Sequence, residues 1–485
     1  MRCLSRLLRN LPQHHRSLSN TPLSAEDLLL RATNGDISYT ARDLIQAGSR
    51  SDRASLIPHT ATQAVCDAYR AYDNDHQRTE FLVTLARDMN LNHDATTEAI
   101  SKASQLNTTK DTPERIRRVT THLRKTLTPA YETLFSRMLA QVPDGMEFLV
   151  DLRADLLRNI RHLSKSKNKE QEKDQDQDKE ITIETIRYLK DLDANLKQNM
   201  TEWFSMSFLR LERVTMDMPG HVLDKIVQGE KVHPIESFDS LRQRLGDGRR
   251  CYAFFHPSLP RIPLAFVHVA LLSGIADRMD VITGDDASSA HENKADSAIF
   301  YSISSTQAGL SGVDLGNFLI KNVAKDIQKE LPNVCHYSTL SPVPGLTGWM
   351  KRRGVQLLRE GNISNVDTTA GQRVANLLEE KKHNVRARDL DVEDRTIVGQ
   401  AAAHYLYNEK LRGRIMCPVG NFHVRNGAEA WRLNVHGGDH TERGALSSYG
   451  IMVNYKYNLD QVEENNERYV LSGDVKIGDG FDEWL

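Results

Sequence analysis

Apolar residues in the first two fifths of the chain recur at helical spacing. Thr112 before Pro113 reads as an N-cap, and Ile116, Val119, Leu123 and Leu127 then fall on one helix face. Phe148, Leu149, Leu152, Leu156 and Ile160 repeat the pattern, as do Ile186, Leu189, Asp193, Leu196 and Met200. These stripes predict the core of a helical bundle over residues 26–204, a scaffold or oligomer contact without chemistry of its own. Between the second and third stripes, residues 164–180 read SKSKNKEQEKDQDQDKE and lack any apolar side chain, which predicts a disordered surface insertion. A charged extension of the neighbouring helices is the alternative.

Near Ser205 the period changes. Short runs rich in β-branched and aromatic residues follow at Cys251–His256, Leu264–Leu272, Ser297–Ile303, Val334–Leu340 and Tyr449–Tyr457. Between two of them Val313, Phe318, Leu319, Val323, Ile327 and Leu331 are spaced to cover a sheet. The fold class expected is therefore α+β: an all-α bundle over 26–204, followed by a mixed α/β domain over 205–485.

Charge and cysteine usage narrow the setting. Sixty-three basic against 65 acidic residues give a net charge of −2, so no polyanion partner such as nucleic acid is indicated. No apolar run approaches the roughly 20 residues that cross a bilayer. The five cysteines, Cys3, Cys66, Cys251, Cys335 and Cys417, form no C-x-x-C pair and fit a reducing compartment. Residues 1–25 carry Arg2, Arg6, Arg9 and Arg16 among leucines and serines, with no acidic residue before Glu26, and so read as a mitochondrial transit peptide.

Candidate chemistry centres on Pro418 to Asn434, PVGNFHVRNGAEAWRLN, where His423 precedes an Asn426-Gly427 turn in surroundings that fit neither a helix face nor a surface loop. A buried, hydrogen-bonded imidazole is the plain alternative. Gly309, Gly312 and Gly316, in SSTQAGLSGVDLGNF, stand where a strand should hand over to a helix, and free N–H groups there attract phosphate. An ordinary glycine turn competes with that reading, since no Walker sequence or G-x-G-x-x-G is present. In YSTLSPVPGLTGW, Pro342 biases Ser341 toward an extended conformation at a strand end. No G-x-S-x-G accompanies it, which disfavours a covalent hydrolase mechanism. His436, Asp439 and His440 could in principle hold a metal, but they sit on a glycine-rich loop tip, so no metal is expected. His268 reads as a satisfied core histidine or a pocket wall. Cys335 and His336, adjacent on a strand, point to opposite faces and cannot form a dyad.

Taken together these stretches resemble the malonyl-CoA decarboxylase family. The resemblance rests on FFHPSLP at Phe254, PLAFVHVAL at Pro263, AIFYSIS at Ala298, GLSGVDLGNFLIK at Gly309 and LSPVPG at Leu340. HYLYNEKLRG at His404, NFHVRNGAEAWRLN at Asn421 and VNYKY at Val453 complete an ordered set over roughly residues 205–460. It implies a helical oligomerisation domain, forming a homotetramer, and a catalytic domain similar to the GNAT acetyltransferases. The CoA pyrophosphate would lie on the segment holding Gln307, Gly309, Ser311, Gly312, Val313, Asp314, Leu315, Gly316 and Asn317. The family's catalytic serine and histidine map onto Ser341 and His423, a supporting carboxylate onto Asp314, where relatives carry glutamate, and a tyrosine onto Tyr457.

The implied reaction, in fatty-acid metabolism, converts malonyl-CoA to acetyl-CoA and CO2. Loss of CO2 leaves an enolate, so the site needs donors for the thioester oxygen and an acid for C2. On the residues so mapped, Ser341 is expected to hydrogen-bond the malonyl carboxylate or the developing enolate and His423 to deliver the proton to C2, oriented by Asp314 and Tyr457. The thioester is itself the electron sink, so no cofactor is required. A mitochondrial matrix location follows from residues 1–25; the Ser-Lys-Leu ending of peroxisomal relatives is missing, and an untargeted form would be cytoplasmic or peroxisomal. The competing readings are a CoA-dependent acyltransferase, which would need an acceptor, and a catalytically dead CoA-binding scaffold.

Overall fold

The computed structural model describes residues 57–107, 110–169, 176–284, 292–436 and 442–485. By contacts the chain forms two units, Met1–Ser205 with Gln307–Val313, and Met206–Thr306 with Asp314–Leu485. The expected transit segment and the six residues 170–175 lie outside the described residues.

The first unit is helical: α1 (Ile57–Arg70), α2 (Asp75–Asp88), α3 (His93–Ser104), α4 (Pro113–Thr126), α5 (Ala130–Gln141), α6 (Gly145–Lys169) and α7 (Asp176–Trp203). Local chemistry starts three of them. The side chains of Asn74, Asn92 and Thr112 accept hydrogen bonds from the amides of Gln77, Ala95 and Arg115, and Pro113 occupies the first helical position, where no N–H is missed. Phe81, Phe135, Leu149, Leu152, Leu156, Leu189, Leu196 and Met200 are all buried and make the core.

Two expectations need correction. The α4 stripe is not core: Ile116, Val119 and Leu123 are half-buried and Leu127 is exposed. Amphipathic spacing defines a face, and only a partner element buries it. Residues 164–180 are not a loop throughout, because α6 continues to Lys169 and α7 begins at Asp176. Lysine, glutamate and glutamine are good helix formers, and helices already nucleated on either side propagate into them.

The second unit runs β1 (Arg210–Arg213), α8 (Gly220–Gly229), α9 (Phe238–Leu245), β2 (Arg249–Phe255), β3 (Ala265–Leu272) and β4 (Ser297–Ser305). It continues with α10 (Gly316–Glu330), β5 (His336–Thr339), β6 (Ser341–Pro342), α11 (Thr368–Glu380) and α12 (Val392–Tyr407). A short hairpin, β7 (Lys410–Leu411) and β8 (Arg414–Ile415), leads to α13 (Pro418–Arg425), β9 (Glu429–Asn434), β10 (Met452–Lys456), α14 (Val462–Ser472) and β11 (Ile477–Gly478). Nine of the eleven described strands form one mixed sheet ordered β1-β2-β3-β4-β5-β10-β9-β11, with β6 also pairing β10, while β7 and β8 pair only with each other.

Strand β3 is buried along its whole length and β4 along nearly all of it, as continuous apolar runs covered on both faces require. Helix α10 packs on β3 and β4 through Leu319, Val323 and Ile327. Elsewhere, Val222, Leu223 and Ile226 of α8 pack with Cys251, Ala253 and Phe266 of the sheet. The sheet's middle decides where a ligand can enter. β4 and β5 are parallel neighbours, and their pairing stops at Phe300 opposite Thr339 although β4 runs on to Ser305. Past Leu340 the chain joins β10 instead, through Ser341 and Pro342. The two strands therefore part at their carboxyl ends, the position where sheets of this kind form crevices.

Candidate active site

The crevice holds a cavity of about 260 Å³. Residues 300–303 of β4 line one side; Ser341 and Pro342 of β6 and the α13 face bearing Phe422 and His423 line the other. Every lining residue belongs to the second unit.

His423 reaches the cavity from a helix, which corrects the expectation of a non-helical setting. Pro418 opens α13 at a position where its missing N–H costs nothing, and the Cys417 thiol accepts from the Gly420 amide at 3.5 Å. The helix ends at Asn426, and Gly427 follows at φ 82°. A side chain at Gly427 would meet the Val462 carbonyl as well as the left-handed backbone, so the expected turn is a glycine helix end.

Three groups expected from sequence come together. Ser341 Oγ lies 3.1 Å from His423 Nε2, and Tyr457 Oη lies 2.8 Å from His423 Nδ1. All three residues are buried. The Tyr455 ring stacks on the imidazole at 4.7 Å between centroids, and the Phe422 ring meets it edge-on at 5.0 Å. Tyr455 and Tyr457 are two residues apart where β10 ends, so both rings are aimed the same way.

Burial alone pushes the His423 imidazole down to about 3, so it is neutral near pH 7. Burial also raises the Tyr457 phenol well above its usual range and keeps it protonated. The Ser341 hydroxyl donates to Thr339 Oγ1 at 3.0 Å. With that proton so placed, Nε2–H of His423 donates to Ser341 Oγ, and Tyr457 O–H donates to Nδ1. This tautomer presents a proton at Nε2, on the cavity side.

The other expected residues are arranged differently. Asp314 Oδ2 lies 3.3 Å from Arg425, so this carboxylate braces the C-terminal end of α13; both side chains are more than a third exposed. Gly316 packs under Phe422, whose ring a Cβ there would meet at 2.6 Å. Leu315 is buried beside it, and Asn317 lies in the first turn of α10. Gln307, Gly309, Ser311, Gly312 and Val313 belong to the helical unit. A Cβ at Gly309 would overlap the Val150 carbonyl, and Arg153 hydrogen-bonds the Gly309 carbonyl. Gly312 has φ 76°. Each glycine thus has a local packing or backbone reason, which the sequence argument from their clustering did not foresee.

His268 is fully buried with neither ring nitrogen hydrogen-bonded, 3.6 Å from the Glu230 carboxylate, rather than satisfied. His436 Nδ1 faces Arg395; Asp439 and His440 lie outside the described residues. Among the described residues no group of three or more metal-ligating side chains converges. Thr339 and Tyr455 are the neighbours that reading the sequence missed. Their signal was the two-residue spacing to Ser341 and Tyr457.

Residues 207–485 match the family model of the malonyl-CoA decarboxylase C-terminal domain, and residues 90–204 that of the N-terminal domain. The mitochondrial malonyl-CoA decarboxylase of Anser anser anser is 36% identical over 425 residues, covering 85% of this chain and 80% of the relative. That of Mus musculus is 32% identical over 483 residues, 96% and 92% of the two chains. The crystal structure of malonyl-CoA decarboxylase from Rhodopseudomonas palustris gives a TM-score of 0.74 at 31% identity, covering 95% of this chain and all of that one. The Agrobacterium vitis structure gives 0.74 at 28% identity, covering 93% and 99%. With both domain models matched in order and relatives similar over most of their length, this chain belongs to the malonyl-CoA decarboxylase family.

Proposed function

We propose that the chain decarboxylates malonyl-CoA to acetyl-CoA and CO2 at Ser341 and His423. The observation that carries this reading is the hydrogen-bonded set Ser341, His423 and Tyr457, of which Ser341 and His423 line the cavity where β4 and β5 part. The malonyl thioester enters with its carboxylate toward His423. That anion offsets the burial that keeps the imidazole neutral, so His423 takes up a proton as substrate binds. The bond between C2 and the carboxylate carbon breaks, CO2 leaves, and the electron pair moves onto the thioester oxygen as an enolate. Once substrate is bound, the Ser341 hydroxyl turns its proton from Thr339 Oγ1 to that oxygen and stabilises it, an interaction of a kind worth about 3 kcal/mol in the barrier. His423 delivers its Nε2 proton to C2 and is left neutral with its proton on Nδ1, facing Tyr457 Oη, until proton exchange restores the resting Nε2–H form. One proton is consumed and no other co-reactant is needed.

Asp314 contributes by holding α13 through Arg425. The CoA pyrophosphate would sit at the start of α10, where Leu315 as N-cap supplies no side-chain acceptor for the first amides. The strand parting at Phe300 and the uncapped start of α10 support a GNAT-like catalytic domain. The names of the goose and mouse relatives, with the composition of residues 1–25, support a mitochondrial location. No described helix is long and apolar enough to cross a membrane. Assembly through the helical unit into a homotetramer belongs to the same reading, and light scattering would give four chain masses.

The test is an assay without any acyl acceptor, following malonyl-CoA, acetyl-CoA and CO2 together. Equal amounts of both products support the decarboxylase. Tight CoA binding without CO2 release would point to an acyltransferase or a CoA sensor.

A further inference from the structure

Thr339 is fully buried, two residues before Ser341 in an extended stretch, so both side chains face the same way. Its Oγ1 accepts from Ser341 Oγ at 3.0 Å and from the Tyr455 amide at 3.1 Å, which fills both acceptor positions of the hydroxyl. Its carbonyl accepts from Asn454 Nδ2 at 2.6 Å, and the same amide group donates to the Ala276 carbonyl at 2.9 Å. Thr339 is also the last rung of the β4–β5 ladder. The threonine is thus fixed on the closed part of the sheet, whereas Ser341 stands on the open rim.

We propose that Thr339 is a positioning residue that fixes where the Ser341 hydroxyl points and thereby which nitrogen of His423 carries the proton. A serine hydroxyl can occupy three staggered rotamers, and its proton rotates freely. With Thr339 accepting that proton, a Ser341 lone pair is turned to Nε2–H. Without the threonine oxygen, the Ser341 proton turns to Nε2 and the imidazole proton moves to Nδ1, away from the cavity. Thr339 does not line the cavity, so it acts only through Ser341. The inference rests on the roles assigned above to Ser341 and His423. The plain alternative is that Thr339 merely satisfies the Tyr455 amide, which would affect folding but not the turnover of folded protein.

The experiment uses the full chain, in the acceptor-free assay, with Thr339→Val, Thr339→Ser, and both repeated in a Ser341→Ala background. Thr339→Val is expected to lower kcat roughly tenfold or more while KM moves less than about threefold, because misplacement of one reacting group acts on the chemical step. Thr339→Ser, which keeps the hydroxyl, stays within about threefold of the wild type. In the Ser341→Ala background Thr339→Val adds no further loss. Histidine-selective 15N NMR, with His423 assigned by its loss in His423→Asn, should show the proton leaving Nε2 in Thr339→Val. Unchanged kcat in Thr339→Val, equal loss in Thr339→Ser, or the same further loss on top of Ser341→Ala would each overturn the proposal. Should the valine variant fail to fold, Thr339→Cys, whose thiol bonds weakly, takes its place with the same expected losses. Wild-type turnover in Ser341→Ala alone would instead overturn the role of Ser341 on which the proposal rests.

Discussion

His423 is unusual for being wholly enclosed and yet next to a cavity. Its surroundings, Tyr455, Phe422 and Tyr457, are aromatic, and burial holds its acidity at about 3. Two consequences belong to the residue itself. Malonyl-CoA should bind with uptake of a proton, and acetyl-CoA, which lacks the carboxylate, with much less. Calorimetry in buffers of different ionisation enthalpy reads that number directly; equal uptake for the two ligands would contradict the role given to the substrate anion. The second consequence concerns stability. Between about pH 3 and the ordinary histidine value of 6.5, the unfolded chain binds a proton that the folded one refuses, so stability rises with pH through that window and is level above it. His268, pushed down to about 4 chiefly by burial, acts in the same direction. His423→Gln should therefore flatten the melting temperature measured between pH 6.5 and the acid limit, and a curve parallel to the wild type would refute the linkage.

At the scale of elements, the site depends on how α13 and α10 are seated. Gly316→Ala would place a methyl against the Phe422 ring, and Gly427→Ala would strain the end of α13 and crowd the Val462 carbonyl. Overpacking of this kind costs typically 1–3 kcal/mol. Both variants should melt several degrees lower than the wild type, and Gly316→Ala should also lose turnover because Phe422 lines the cavity. A Gly316→Ala protein with unaltered melting and rate would contradict this packing. The strands β2, β3, β4, β5 and β10 were legible in the sequence because buried strands are written as short β-branched runs. Strand β9 was hidden within AEAWRLN, and His423 was not recognised as helical because an eight-residue helix opened by proline leaves little periodicity to read. The three glycines were visible, but their reasons lie in Val150, Phe422 and backbone angles contributed by distant parts of the chain.

For the molecule as a whole, the boundary between units is not a single cut. Residues 307–313 leave the second unit and fold with the helices, where buried Arg153 bonds both Asp193, at 2.8 Å, and the Gly309 carbonyl. Arg153→Ala would leave a carboxylate and a carbonyl without that partner, at a cost of about 3 kcal/mol. A lowered melting temperature by calorimetry is expected, and an unchanged one would show that the insertion is held by other contacts. Periodicity alone gave the bundle and the change of period near Ser205. The insertion of 307–313 into the helical unit was not legible, because a seven-residue excursion carries no period of its own.

The most direct measurement of the central claim is turnover and CoA binding compared in wild type and His423→Asn. The variant should bind CoA with nearly unchanged affinity while its release of CO2 from malonyl-CoA falls at least a hundredfold. Retained turnover in His423→Asn would contradict the assignment of the proton donor and with it the mechanism built on Ser341, His423 and Tyr457.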